Sequence, residues 1–181
     1  MDLFKYTAHE LHEKLVNKEI TAVELTNAVY DRIAAVDEQV NAYISLSKEE
    51  ALAKAAEVDA KIAAGEAIAP LAGIPVVFKD NINIYGQVTS CASKMLQGVE
   101  TVFDAHVTEE LRKEDAVFWG KANMAEFSIG NTTDNSYNGA AHNPWNLNCT
   151  TGGCATAAAV AAGEAVWALA SDTSGDLRQP A

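Results

Sequence analysis

Lys79 follows directly on the apolar run Val76-Val77-Phe78, with Asp80 and Asn81 next in line. A lysine at the end of a buried strand is either a solvated strand end or a desolvated amine. In the second case burial disfavours the ammonium and makes the neutral base available. A second segment, Ser171-Asp172-Thr173-Ser174-Gly175-Asp176-Leu177-Arg178, also follows an apolar run. Small residues and glycine after a strand let backbone N–H groups converge on an anion or an oxyanion. The same residues also make a plain tight turn. A third segment, Thr150-Thr151-Gly152-Gly153-Cys154, leads into an alanine-rich stretch. Two glycines before a helix N-terminus suit an anion site or an ordinary loop. No phosphate-binding GxxxxGK[ST], GxGxxG, CxxC pair or HExxH occurs. Of the histidines, only His9 and His12 have a ligand-like spacing, and there a solvated helix face is preferred over a metal site.

These segments need elements to hold them. The first 64 residues read as three helices, each with its own start signal. Thr7-x-x-Glu10, Thr21-x-x-Glu24 and Ser47-x-x-Glu50 are capping boxes, in which hydroxyl and carboxylate satisfy orphan amide protons. Leu11 with Leu15, and Leu25, Ala28, Val29 and Ile33, give apolar stripes at helical spacing. Gly65 is a natural stop for the third helix. From Pro70 the character changes. Val76-Val77-Phe78 and Val117-Phe118-Trp119-Gly120 read as short buried strands, and residues 165–170 as a central strand. Residues 105–113 and 156–162 read as helices, residues 123–127 as a short one, and residues 128–154 as irregular. Short apolar strands alternating with helices predict an α/β sheet, mostly parallel.

The chain has 181 residues with 49% hydrophobic and 21% charged residues, which fits one globular domain with a real core. Its net charge of −12 is poorly suited to gripping nucleic acid or an anionic membrane, because phosphate affinity is mostly cationic. Three cysteines, Cys91, Cys149 and Cys154, do not make a disulfide framework, and a reducing cytoplasm is expected. Residues 1–10 lack the pattern of a signal peptide, and the long uncharged stretch 143–163 is too poor in Leu, Ile and Phe to span a bilayer.

One set of blocks is more specific. Leu71-Ala72-Gly73-Ile74-Pro75-Val76-Val77-Phe78-Lys79-Asp80-Asn81 resembles the strand-and-lysine segment of the amidase signature family. Matching blocks follow at Cys91-Ala92-Ser93-Lys94-Met95-Leu96, Phe103-Asp104-Ala105, Gly120-Lys121-Ala122-Asn123-Met124 with Glu126-Phe127, and Asn143-Pro144-Trp145. The set is completed by residues 157–164, Ser171-Asp172-Thr173 and Arg178-Gln179-Pro180-Ala181. Within the family, the chain is most similar to the A subunits of glutamyl-tRNA(Gln) amidotransferases.

The resemblance implies an α/β fold: N-terminal helices followed by the first part of a mixed-sheet α/β/α amidase domain, truncated. Residues 1–181 would be a partial domain, with a helical region over 1–66 and the start of the catalytic core over 67–181. A sheet cut there would leave an unpaired edge, predicting poor solubility or dimerisation. The implied activity is hydrolysis of the glutamine side-chain amide, with the ammonia converting Glu-tRNA(Gln) to Gln-tRNA(Gln). The implied partners are the B and C subunits, with tRNA met only indirectly. The chain would need no cofactor, ATP and magnesium being used by the partner subunit.

The family works through a Ser–cis-Ser–Lys triad, in which a neutral lysine acts through the cis-serine on a nucleophilic serine. By position Lys79 is the general base. Cys154 stands at the cis-serine position, and two glycines of the family run are missing before Thr156. Asp176 stands at the nucleophile position, and Thr173, Ser174 and Gly175 supply the backbone of the oxyanion loop. The expectation is a chain with the family's frame and an inactive site. An ion pair between Asp176 and Lys79 would end the lysine's role as a base.

Overall fold

The computed structural model describes residues 3–181; Met1 and Asp2, the start of the stretch read for a signal peptide, lie outside it. The N-terminal part holds helices α1 (Ala8–Val16), α2 (Ala22–Val40) and α3 (Lys48–Ala64). Capping boxes at Thr7 and Thr21 are present as read, with both the side-chain and the return hydrogen bond made. Ser47 makes no side-chain cap. Its N–H donates to Trp119 O at 2.9 Å, and the Glu50 carboxylate is taken by Gln87 Nε2 at 2.9 Å. Distant partners thus displaced the local one.

Between α2 and α3 lies a strand the sequence reading missed, β1 (Tyr43–Leu46). It joins β2 (Pro75–Lys79), β3 (Val117–Ala122) and β6 (Trp167–Leu169) in a four-stranded sheet ordered β1-β3-β2-β6. Strands β2, β3 and β6 run parallel, and β1 is antiparallel to β3, so the sheet is mixed. The helical region therefore contributes directly to the core sheet. The run 165–170, read as a central strand, forms β6 at one edge, with all three of its residues half-buried. The irregular stretch contains a hairpin of β4 (His142–Asn143) and β5 (Asn146–Thr150). The short helix expected at 123–127 is a 3-10 turn over Glu126–Ser128. Helices α4 (His106–Lys113) and α5 (Ala155–Ala161) complete the fold.

Strand alternation sorts the core into two faces. Val77, Val117 and Trp119 point toward α1, α2, α3 and α5, meeting Leu11, Leu15, Leu25, Val58 and Ala159. Val76, Phe78 and Phe118 point the other way, toward Leu111 of α4 and Ile84. Phe78 and Phe118 meet edge to face with centroids 5.1 Å apart. Burying each such side chain contributes about 2–3 kcal/mol. A sheet covered on both faces explains why β2 and β3 read as unbroken apolar runs. Gly120 sits inside β3 because a Cβ there would lie 2.5 Å from Ser45 O of the neighbouring strand.

Candidate functional site

The site lies at the C-terminal ends of the parallel strands, where open α/β sheets place their functional loops. Lys79 is the last residue of β2, paired in register with Ala122 of β3, and Phe78 pairs with Leu169 of β6. That register sets Ser171, two residues past β6, beside the Lys79 side chain. Lys79 Nζ donates to Ser171 O at 3.2 Å and to Ser171 Oγ at 3.1 Å. Its third contact is the Asp176 carboxylate, an ion pair between two side chains that are both 0% exposed.

Asp176 reaches this place through a tight turn. Residues Thr173–Gly175 form one 3-10 turn, with Ser174 in the left-handed region at φ 57°. The Asp176 N–H donates to Thr173 O at 3.2 Å. The Asp172 carboxylate accepts from the N–H groups of Leu177 and Arg178 at 2.7 and 3.1 Å, and pairs with the Arg178 guanidinium. Those bonds hold Asp172 below the usual carboxylate range, the backbone donor of Leu177 acting most strongly.

The third segment packs against the turn through backbone. Cys154 N–H donates to Asp176 O at 2.8 Å, and a Cβ on Gly153 would lie 2.0 Å from that same oxygen. Only glycine permits this approach. Ala155 N–H donates to Asn123 O at 2.9 Å, tying the start of α5 to the end of β3. The Cys154 thiol is buried and lies 2.9 Å from Thr156 Oγ1. Burial pushes it up, and the Asp176 charge adds to the shift. It is a thiol held away from the thiolate form a nucleophile needs. Every peptide bond among the described residues is trans, that of Cys154 included.

The structure thus brings Lys79, Cys154, the 173–175 turn and Asp176 together. It adds residues that sequence reasoning did not single out. Asn81 Nδ2 donates to Ser171 Oγ at 2.8 Å and to Ser128 Oγ at 3.4 Å. Asn81 stands in the same run as Lys79, which was a usable signal; Ser128 offered none. Asp176 Oδ1 and Asn81 Oδ1 are buried acceptors without a protein donor.

Behind Lys79 lies a second buried network. Asp80 Oδ2 accepts from Ser90 Oγ at 2.5 Å, Ser90 N at 3.1 Å and Ala92 N at 3.2 Å. Lys121 donates to Ile82 O, and to Thr89 Oγ1 at 3.1 Å, with its nitrogen 3.8 Å from Asp80 Oδ1. Burial pushes Lys121 down to about 8 against the pull of Asp80. This network fixes the backbone that leaves β2. Among the described residues no group of His, Cys, Asp and Glu is placed to hold a metal ion. No helix among them is long and apolar enough to cross a membrane.

The Amidase family model matches residues 24–181. The chain belongs to the amidase family. Over its whole length it is 50% identical to the A subunit of the glutamyl-tRNA(Gln) amidotransferase of Desulforamulus reducens, and 50% identical to its counterpart in Clostridium botulinum strain Kyoto. It spans 38% of the length of these relatives. The structure superposes on the corresponding amidotransferase chain of Thermotoga maritima with a TM-score of 0.80 at 36% identity, covering 99% of this chain and 37% of that one. It superposes on a fatty acid amide hydrolase with a TM-score of 0.93 at 26% identity, covering 99% of this chain and 32% of that one. The mixed sheet between helical layers is the frame of the amidase family, represented here in part.

Proposed function

We propose that this chain carries the amide-hydrolase frame of the amidotransferase A subunits with its site in a non-hydrolysing form. The observation that carries this reading is the fully buried pair of Lys79 and Asp176. Hydrolysis by a lysine-based triad needs a neutral amine as base and a hydroxyl as nucleophile. Here the amine's protons are committed to a carboxylate and to Ser171, and the side chain at the nucleophile position is itself that carboxylate. A carboxylate paired in this way offers no activated nucleophile. Cys154 is no substitute, since burial raises its thiol and favours the protonated form.

The similarity to A subunits supports the following substrate and partner classes. The ancestral reaction is hydrolysis of the glutamine side-chain amide, feeding ammonia to the conversion of Glu-tRNA(Gln). The B and C subunits are the partners, and they supply the tRNA contact and the use of ATP. The chain itself takes no cofactor in this reading. It acts in the cytoplasm as a binding or assembly module of that complex. Its acidity agrees with leaving tRNA to a partner.

The test is release of ammonia from glutamine by the full chain, alone and with the B and C subunits. The expected result is no release above a protein-free blank, and none from Asp176→Ser alone, because Cys154 and the shortened loop remain. Turnover that disappears in Lys79→Ala would overturn the proposal. Full recovery in Asp176→Ser would show that the loop at Cys154 is competent as it stands. For the assembly role, retention of the B subunit on an immobilised chain is expected, and free passage of that subunit would refute it.

A further inference from the structure

Glu164 is a second buried ionisable group, remote in role from the Lys79 site. It is 0% exposed, in the turn between α5 and β6. The turn closes with Gly163 N–H on Val160 O at 3.0 Å and Glu164 N–H on Ala159 O at 2.8 Å. The backbone of Glu164 is held by β1, whose Tyr43 hydroxyl donates to Glu164 O at 2.7 Å. The side chain is different: neither carboxyl oxygen accepts a hydrogen bond from a protein donor. Its polar neighbour is the carboxyl group of Asp37, within hydrogen-bonding reach. Asp37 in turn accepts from Ala42 N at 2.6 Å, at the end of α2.

Two ionised carboxylates have no proton with which to bond each other. In a dry site their repulsion keeps one of them protonated. The groups that face Glu164 are Asp37 and Arg32 from α2 and Tyr43 from β1. Arg32 is engaged elsewhere, its Nε donating to Ala162 O at 2.7 Å. Burial raises Asp37 as well, but the amides of Ala42 and Tyr43 oppose that rise, so Asp37 is the acceptor and Glu164 the donor.

We propose that Glu164 and Asp37 share one proton and form a pH-sensitive latch that ties the α5–β6 turn to the C-terminal end of α2. From this turn β6 runs directly to Ser171 and the Lys79 site, so the latch fixes the strand that carries the loop. Burial pushes Glu164 up from 4.5 to about 9, with Asp37 adding to the shift and Arg32 opposing it. In the unfolded chain the carboxyl ionises near its ordinary value, while in the fold it stays protonated. The latch's contribution is whole below the unfolded value and is lost as the pH rises toward the folded one.

The experiment is urea unfolding of the full chain, followed by tryptophan fluorescence from about pH 5 to pH 10. Glu164→Gln keeps the shape and the donor but does not titrate. The wild-type midpoint is expected to fall relative to that of Glu164→Gln as pH rises to about 9, and the difference then to level off. Infrared spectra are expected to show a protonated-carboxyl stretch in the wild type at neutral pH, absent in Glu164→Gln and lost in alkali. Asp37→Asn removes the partner of the shared proton while Glu164 stays buried, so it is expected to shift the frequency of the band and to end the pH-dependent decline at a lower pH than in the wild type. It carries the test if Glu164→Gln does not fold. Parallel midpoints in wild type and Glu164→Gln, or no protonated-carboxyl band at neutral pH, would overturn the proposal.

Discussion

Removing one partner of the Lys79–Asp176 pair is expected to be costly, and the two ways of doing it should differ. Both side chains are 0% exposed. Breaking a buried pair typically costs about 3–5 kcal/mol, because an uncompensated charge stays behind. Lys79→Met leaves Asp176 with one oxygen already lacking a donor and the other newly bare. This variant belongs at the upper end of the range. Asp176→Asn leaves Lys79 with Ser171 O at 3.2 Å and Ser171 Oγ at 3.1 Å, so it belongs at the lower end. In Lys79→Met combined with Asp176→Leu both charges are gone, and such replacements are neutral or stabilising by about 1–4 kcal/mol. The assay is urea unfolding of the four proteins, each variant compared with the wild type. In a chain of this size, Lys79→Met then lowers Tm by roughly 10–20 °C. A Lys79→Met protein within about 1 kcal/mol of wild type, or a double variant as unstable as either single one, would refute the account.

Thiol labelling of the native chain should rank the cysteines by burial. Cys149 is exposed and should react first, half-buried Cys91 slowly, and buried Cys154 only on unfolding. Prompt labelling of Cys154 would contradict its place in the core. Gly153→Ala should destabilise the chain by at least about 1–3 kcal/mol, because its Cβ meets a backbone oxygen that cannot swing aside. Hydrogen exchange should then rise together in residues 150–156 and 172–178. A wild-type exchange pattern would show that the two segments are not joined there.

The parts of this fold that rest on local chemistry were legible. The capping boxes at Thr7 and Thr21 announced α1 and α2 because every bond in them spans three residues. Ser47 carries the same signature and fails, since Trp119 and Gln87 compete for its groups from far along the chain. Strand β1 was missed for the same reason: its four residues acquire meaning only beside β3. The run around Trp167 was apolar enough to suggest a central strand, yet it lies at an edge. The Lys79 site was located by family resemblance, and spacing alone left a turn and a solvated strand end open. The pairing of Lys79 with Asp176 was legible through that same resemblance. Glu164 was legible only as the end of a family-like block, and its pairing was not, because Asp37 sits far back along the chain on α2.

The seam at Gly153 bears on how such a chain drifts. What residue 153 meets is the main-chain oxygen of residue 176, and what Cys154 N–H binds is that same oxygen. Neither contact depends on which side chain position 176 carries. The scaffold can therefore outlive its reaction: substitutions can strip the chemistry from the loop while leaving every strand and seam in place. Shape shared with amide hydrolases is then a record of descent, and the side chains at the loop are the separate record of use.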